Sequence, residues 1–444
     1  MSDRDFVGVG LVGFGTIGTG VVKVLERNAD VIEKRLGFPL RLVRIADLDT
    51  TSDRGVDVSH IRFDSDSDGL LADPQVDIVV ELVGGYDFAR KLTLRAIEAG
   101  RHVVTANKAL LALYGAEIFA AAASQSVEVA FEASVGGGIP ILRSLREGLN
   151  ANHIESVHGI MNGTTNYVLT EMERTGESFD VVVKRAQDLG YAEADPTFDI
   201  DGIDAAHKLT LLVAMAFGAE LTYKEIPTEG IRGLAPIDFE AAEEFGQRIK
   251  LLGIAKSHRG EDGSERIEAR VHPTMIPAGS LLAAVDGAMN AVAVTGDMVG
   301  PTLFYGAGAG ELPTASAVVA DLIEIAREVR RGNAGRVAPL SYLPGALGPK
   351  PLVPLGEIVG RYYLRFTARD RPGVLAHVAS VLAEHEISSE SVLQKGRADS
   401  SGSVPLLILT HPAAESAVRS ALDIIDGLDD VTEPSRLIRI EEGL

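Results

Sequence analysis

The 444-residue chain has no cysteine, which excludes a disulfide framework, a thiolate zinc site and a cysteine nucleophile. It is also short of positive charge. Lys and Arg number 42 against 63 Asp and Glu, for a net charge of -21. Such a chain lacks the electrostatic footprint of a nucleic-acid binder and is repelled by an anionic membrane surface. Long apolar runs are missing too: the longest, from Leu209 to Ala219, is too short to span a bilayer. The start, Met1-Ser2-Asp3-Arg4-Asp5, has no apolar segment behind a basic patch, so no signal peptide is expected. These absences predict a soluble, cytoplasmic protein with a small-molecule partner and neither nucleic acid nor membrane.

The length calls for roughly two or three domains. Strands are expected at Phe6–Val12, Leu40–Ala46, Val76–Val83, His102–Ala106 and Val127–Ala133, alternating with helices at Thr16–Leu36, Asp87–Ala99 and Tyr114–Ser124. That alternation reads as a Rossmann-type parallel sheet with helices on both faces. It is placed over residues 1–138 and completed by 305–332, where 315–331 has the spacing of a helix. Residues 139–304 read as a mixed α+β catalytic and dimerisation domain. Its expected strands are 156–161, 251–255 and 265–272, and its helices 165–174, 179–189, 202–216 and 240–246. Five of the 19 prolines lie between Pro339 and Pro354, which marks 333–359 as a linker. Residues 360–444 form a compact βαββαβ unit.

Gly13-Phe14-Gly15-Thr16-Ile17-Gly18 is a G-x-G-x-x-G motif between the first strand and the first helix. The first glycine makes the tight turn, the second admits a pyrophosphate to the backbone, and the third lets helix and strand pack. Asp47, after the second strand, is placed to bond an adenine ribose 2′-hydroxyl, which favours NAD. It falls later than the usual spacing of about 20 residues, and Arg44 and Arg54 are near enough in sequence to accept NADP instead. The choice between NAD and NADP stays open. Gly84-Gly85 and Thr105-Ala106-Asn107-Lys108 each follow a strand, where ligands of parallel sheets bind.

The stretch from Gly190 to Lys208 is rich in acid. A calcium loop laid on Thr197, Asp199, Asp201 and Gly202 places Lys208 where a bidentate glutamate is required, so that reading fails. Asp204 and Lys208, four apart, share one helix face. A lysine beside carboxylates in a cleft exchanges a proton with an alcohol oxygen as hydride moves. Spacing alone favours a surface ion pair.

Six segments occur in one order: the glycine motif, Thr105–Lys108, Phe131–Pro140, Gly159–Tyr167, Gly190–Lys208 and Gly306–Gly310. Together they resemble homoserine dehydrogenase, from Met1 to about Arg331. The resemblance implies NAD(P)-dependent interconversion of L-homoserine and L-aspartate 4-semialdehyde, on the route to threonine and methionine. It makes Lys208 the proton-transfer residue and sets Lys108 near the nicotinamide and reacting oxygen. Glu193 and Asp204 become substrate-binding carboxylates, while Thr164, Tyr191 and Asp199 line the pocket. Phe14, Thr16, Ile17, Ala106 and Gly310 become cofactor contacts. Glu132, Val135, Gly137 and Ile139 match a site for a monovalent cation, sodium, where one carboxylate and backbone carbonyls suit a hard ion.

The C-terminal unit resembles an ACT regulatory domain, with Asp370, Gly373 and Val374 at the turn where that family binds small amino acids. Threonine inhibition, and assembly as a homodimer or homotetramer, are what these resemblances imply. Two other readings remain: a dehydrogenase of the same fold for another amino-acid semialdehyde, and a non-catalytic amino-acid sensor.

Overall fold

The computed structural model describes residues 4–221, 223–333, 335–394 and 402–444. The first sheet is built from β1 (Val7–Val12), α1 (Thr16–Arg27), α2 (Ala29–Leu36), β2 (Leu40–Ala46), β3 (Arg62–Asp64), α3 (Ser67–Ala72), β4 (Ile78–Glu81), α4 (Asp87–Glu98), β5 (His102–Thr105), α5 (Lys108–Gln125) and β6 (Val129–Ala130). All its pairings are parallel and its order is β3-β2-β1-β4-β5-β6. The order reverses between β1 and β4, which opens a ligand crevice at the carboxyl edge. The inner strands β1, β4 and β5 are built mainly from buried apolar residues because both faces are covered. Val9, Leu11, Ile78 and Val80 pack against Val21 and Val22 of α1, and Val79 and Val103 against Leu92 of α4 and Leu110 of α5.

Two expectations are corrected here. The helix expected over 16–36 breaks at Asn28 (φ -111°, ψ 17°), a residue whose side chain competes with helical hydrogen bonds. The strand expected over 127–133 ends early. Glu132 donates its N–H to Asp321 Oδ2 at 2.8 Å instead of to a strand, and residues 132–134 close into a 3₁₀ turn.

The chain then runs through α6 (Ile141–Arg143), β7 (Ile154–Ile160), α7 (Gly163–Thr175), α8 (Phe179–Asp188), α9 (Thr197–Ile200), α10 (Ile203–Phe217), α11 (Pro236–Glu244), β8 (Gln247–Arg259), β9 (Glu265–Pro277), β10 (Met289–Gly296), β11 (Gly300–Ala307) and α12 (Glu311–Arg331). It ends with β12 (Val359–Arg369), α13 (Val374–Glu384), β13 (Ser389–Gln394), β14 (Ser403–Thr410), β15 (Ala413–Ala414), α14 (Glu415–Asp426) and β16 (Val431–Ile440). α12 returns to the first sheet and buries Ala315, Val318 and Leu322 beside α1. α11 starts four residues earlier than expected. Pro236 opens it, and Asp238 accepts from the Ala235 N–H at 2.8 Å. The β10–β11 hairpin was not expected at all.

The second sheet has the order β11-β10-β7-β8-β9-β16-β12-β14-β13. The C-terminal unit is the expected βαββαβ, with β15 added, but its sheet is not separate. β16 pairs in parallel with β9, Arg439 against Thr274 and Ile440 against Met275. Residues expected to be a linker lie along the second domain. Ile267 donates to the Pro351 carbonyl at 3.0 Å, and Val353 to that of Ile267 at 2.8 Å. Among the described residues no helix is long and apolar enough to cross a membrane.

Candidate active site

Gly13 takes φ +96°, and a Cβ there would lie 2.5 Å from the Leu82 carbonyl, so only glycine fits this turn. At Gly15 an added Cβ would meet nothing within 4 Å, which leaves the backbone open to a ligand. At Gly18 it would lie 2.3 Å from the Gly13 carbonyl oxygen, so this glycine sets the helix–strand contact. Gly15 and Thr16 are exposed, and Ile17 is half-buried. The cradle and the N-terminus of α1 therefore fit a dinucleotide pyrophosphate.

The structure reassigns the polar groups at the adenine end. Arg44 is buried and bonded to Asp64 and Asp66, so it is withdrawn from any ligand. Asp47 accepts from the Phe14 N–H at 2.5 Å and from the Asp49 N–H at 2.8 Å. Arg54 Nε donates to the Phe14 carbonyl at 2.5 Å. Its guanidinium lies 4.8 Å from the Phe14 ring centroid and 3.8 Å from Asp47. The Phe14 ring itself is buried, edge-on to Phe63, so this residue presents no aromatic face to a ligand. Gly84 and Gly85 are exposed with positive φ, and Ala106 is half-buried. Gly310 is exposed and caps α12.

Across the crevice, α10 carries Asp204 and Lys208, both buried. Lys208 Nζ donates to Asp204 Oδ2 at 2.8 Å and to the Met161 carbonyl at 2.6 Å. Lys108 Nζ, at the start of α5, lies 3.1 Å from the other Asp204 oxygen. Burial pushes Lys208 down, and repulsion from Lys108 adds to this against the pull of Asp204. Burial alone would raise Asp204, but the two lysines outweigh it and hold the carboxyl well below its ordinary range. Asp199 is pushed up, by burial and then by Asp204.

Asn162 binds this group together. It caps α7 by accepting from the Thr165 N–H at 2.8 Å, and its Nδ2 donates to Asp199 at 2.7 Å and to Asp204 at 2.8 Å. In sequence it is one residue of the Gly159–Tyr167 segment, with no role of its own. The signal that could have found it is an asparagine at a helix start, ahead of two acids that need donors. Thr164 donates to the Tyr191 carbonyl at 2.7 Å, and the Tyr191 ring stacks 4.7 Å from Tyr167. Lys208, Lys108, Asp204, Asp199, Thr164 and Tyr191 are thus brought together. Glu193 is exposed in the irregular turn before α9, where its carbonyl accepts from Gln187. Among the described residues its carboxylate takes no part in the cluster.

Glu132 is buried, and its carboxylate accepts from the Leu142 and Arg143 N–H groups at 3.0 and 2.8 Å. It therefore caps the start of α6. The Ile139 carbonyl accepts from Ile141 at 2.8 Å. Burial raises Glu132. Asp321 beside it is pushed up to about 8 by burial and by the Glu132 charge. Among the described residues no group of three or more His, Asp or Glu could hold a metal ion. In the C-terminal unit, Asp370, Gly373 and Val374 line a cleft of about 340 Å³ with Gln394 and Leu406.

Comparison with known proteins follows this layout. The homoserine dehydrogenase family profile matches residues 140–323, the profile of that family's NAD-binding domain matches 13–132, and the ACT domain profile matches 362–427. The homoserine dehydrogenase of Neisseria gonorrhoeae is 50% identical over 436 residues, 98% of each chain. That of Pseudomonas aeruginosa is 48% identical over 436 residues, 98% of this chain and 99% of its own. The crystal structure of a homoserine dehydrogenase from Thiobacillus denitrificans superposes with a TM-score of 0.91 at 50% identity, covering 98% of both chains. A hyperthermophilic archaeal homoserine dehydrogenase in complex with NADPH superposes with a TM-score of 0.58 at 26% identity, over 72% of this chain and 97% of its own.

Proposed function

The chain belongs to the homoserine dehydrogenase family of NAD(P)-binding oxidoreductases, and on that premise we propose that the cleft between α5 and α10 interconverts L-homoserine and L-aspartate 4-semialdehyde. The observation that carries this reading is the buried Lys208, held by Asp204 and the Met161 carbonyl with its basicity lowered. A nicotinamide in the β1–β4 crevice would accept hydride from the alcohol carbon, or return it. In oxidation Lys208 takes the proton of the substrate hydroxyl; in reduction it gives that proton back. Asp199 and Asp204 hold the substrate ammonium, and Thr164 and Tyr191 shape the pocket. Lys108 faces the reacting oxygen and stabilises negative charge there. Glu193 joins only if its turn folds inward on substrate.

The test is NAD(P)H oxidation by purified protein given aspartate semialdehyde, and no turnover overturns the proposal. Lys208→Ala should cut kcat by roughly a hundredfold to ten-thousandfold and leave cofactor binding in place. Full activity in that variant removes the role assigned to Lys208. A panel of other semialdehydes separates this substrate from its neighbours.

Finer points belong to the same proposal. NADP is favoured over NAD, because Asp47 already has two backbone donors and Arg54 beside it, though bonded to the Phe14, Ser52 and Asp49 carbonyls, brings positive charge to that end of the crevice; an archaeal relative is seen in complex with NADPH. A monovalent cation at Glu132 and the Val135–Ile139 turn is what the family resemblance implies, and one buried carboxylate beside backbone carbonyls suits a hard ion. The Glu132 carboxylate and the carbonyls of Val135, Gly137 and Ile139 would hold it. The cleft at Asp370–Val374 suits a small amino acid such as threonine, the end product this route would sense. Initial rates with both cofactors, with and without threonine and sodium, test all three. Homodimers or homotetramers are expected from the family, and sedimentation checks them.

A further inference from the structure

Glu81 ends β4 with no exposed surface. Among the described residues it has no ion-pair partner, and burial pushes its carboxyl up. A buried carboxyl met only by hydrogen-bond donors is costly, so what those donors belong to matters. Strand register sets Val12, Glu81 and Thr105 side by side at the carboxyl edge of β1, β4 and β5. Glu81 Oε1 accepts from the Val83 N–H at 3.0 Å, and Oε2 accepts from Thr105 Oγ1 at 2.6 Å. Thr105 Oγ1 in turn accepts from the Asn107 N–H at 3.0 Å. The Asn107 side chain donates to the Gly85 carbonyl at 2.6 Å and accepts from the Leu110 N–H at 3.0 Å. A closed ring therefore ties the 82–85 loop to the start of α5, and the first residue of α5 is Lys108.

We propose that Glu81 is a positioning residue for the dehydrogenase reaction: through Thr105 and Asn107 it fixes the start of α5, and so the distance of Lys108 from the Asp204–Lys208 pair. It touches neither substrate nor proton in flight. The inference rests on the function proposed for the cleft. The groups that face Lys208 are Asp204 on its own helix, Lys108 from α5 and Asp199 from α9. If Lys108 drifts away, Lys208 loses a repelling charge and becomes more basic.

The test is Glu81→Gln, which keeps the shape but sets an N–H against either the Val83 N–H or the Thr105 hydroxyl, since its amide has one acceptor oxygen for two donors. Thr105→Val cuts the same link from the other side, and serves if Glu81→Gln does not fold. Each should lower kcat by roughly tenfold to a hundredfold, the order for losing the partner that orients a working side chain. Each should also move the pH limb of homoserine oxidation upward, and the double variant should be no worse than the single ones. A kcat loss that tracks only the folded fraction, with the limb unmoved, overturns the proposal, as does unchanged kcat. Lys208→Ala run alongside separates the two failures. If it stays active, the reading of the cleft falls and takes this inference with it. If it is inactive while Glu81→Gln and Thr105→Val behave like the parent, the positioning role alone is wrong.

Discussion

Asp204 stands between two lysines: one carboxylate oxygen accepts from Lys208 Nζ at 2.8 Å and the other lies 3.1 Å from Lys108 Nζ. The same aspartate thus pulls Lys208 toward its charged form while Lys108 pushes it toward the neutral one. Oxidation of an alcohol needs the neutral amine, so its rate climbs as pH passes through the Lys208 pKa. Lys108→Met removes the repulsion, raises that pKa and moves the limb to higher pH. Asp204→Asn removes the attraction, lowers it and moves the limb to lower pH, with a higher KM for homoserine. Profiles of kcat against pH for both variants check the opposite signs, and a shift in one common direction counts against Lys208 as the titrating group.

Asn162 does two jobs that one pair of variants separates. Asn162→Ser keeps an oxygen to cap α7 but has no Nδ2 to donate to Asp199 and Asp204. Activity should fall while the unfolding midpoint holds. Asn162→Ala loses the cap, which costs about 1 kcal/mol, and leaves both carboxylates short of a donor. Denaturant unfolding beside steady-state kinetics reads both, and equal stability losses in the two variants would remove the cap from the account.

The parallel sheet was legible because its strands are short apolar runs punctuated by glycine, and because both faces are covered. The β10–β11 hairpin was not, since Gly300, Pro301 and Gly306 read locally as turn residues. Nor does any local feature announce that Arg439 will pair with Thr274. That contact joins segments far apart in the chain, and its cost and reward are both non-local. Within the site, Asp204 and Lys208 were visible as a helical pair, and the family resemblance lifted them above a surface ion pair. Asn162 and Glu81 were hidden for a common reason. Each looks structural in sequence, as a helix cap or the polar end of an apolar strand, and each gains its meaning from a partner more than twenty residues away.

Arg54 should decide the cofactor. Its guanidinium rests on the Phe14 ring within 3.8 Å of Asp47, where a 2′-phosphate would bring negative charge. Losing one charged hydrogen bond costs about 1.5–3 kcal/mol, or roughly a tenfold to hundredfold rise in KM. Arg54→Gln should show that rise for NADPH and leave NADH nearly unchanged. The ratio of kcat/KM values for the two cofactors measures it. A loss shared equally by both would mean that Arg54 supports the glycine loop and does not read the phosphate.

Glu441 should make the seam between the two parts of the second sheet sensitive to acid. It follows β16, and its carboxylate meets Arg270 at 2.9 Å and Lys256 at 2.5 Å, with His158 at 3.8 Å. Burial alone would raise its pKa. His158, Lys256 and Arg270 outweigh that and bring it from an ordinary 4.5 down to about 2. A depressed carboxyl stabilises the fold above its unfolded value and loses that contribution as pH falls through the folded one. The window is therefore from about pH 4.5 to about 2, and the contribution about 3 kcal/mol. Glu441→Gln should weaken the fold at neutral pH by about 3 kcal/mol, because Lys256 is left facing a neutral group and Arg270 keeps only Glu268. It should also flatten the dependence of stability on pH across that window. Urea midpoints measured for both proteins between pH 7 and pH 3 decide it; parallel curves would place the acid-sensitive group elsewhere.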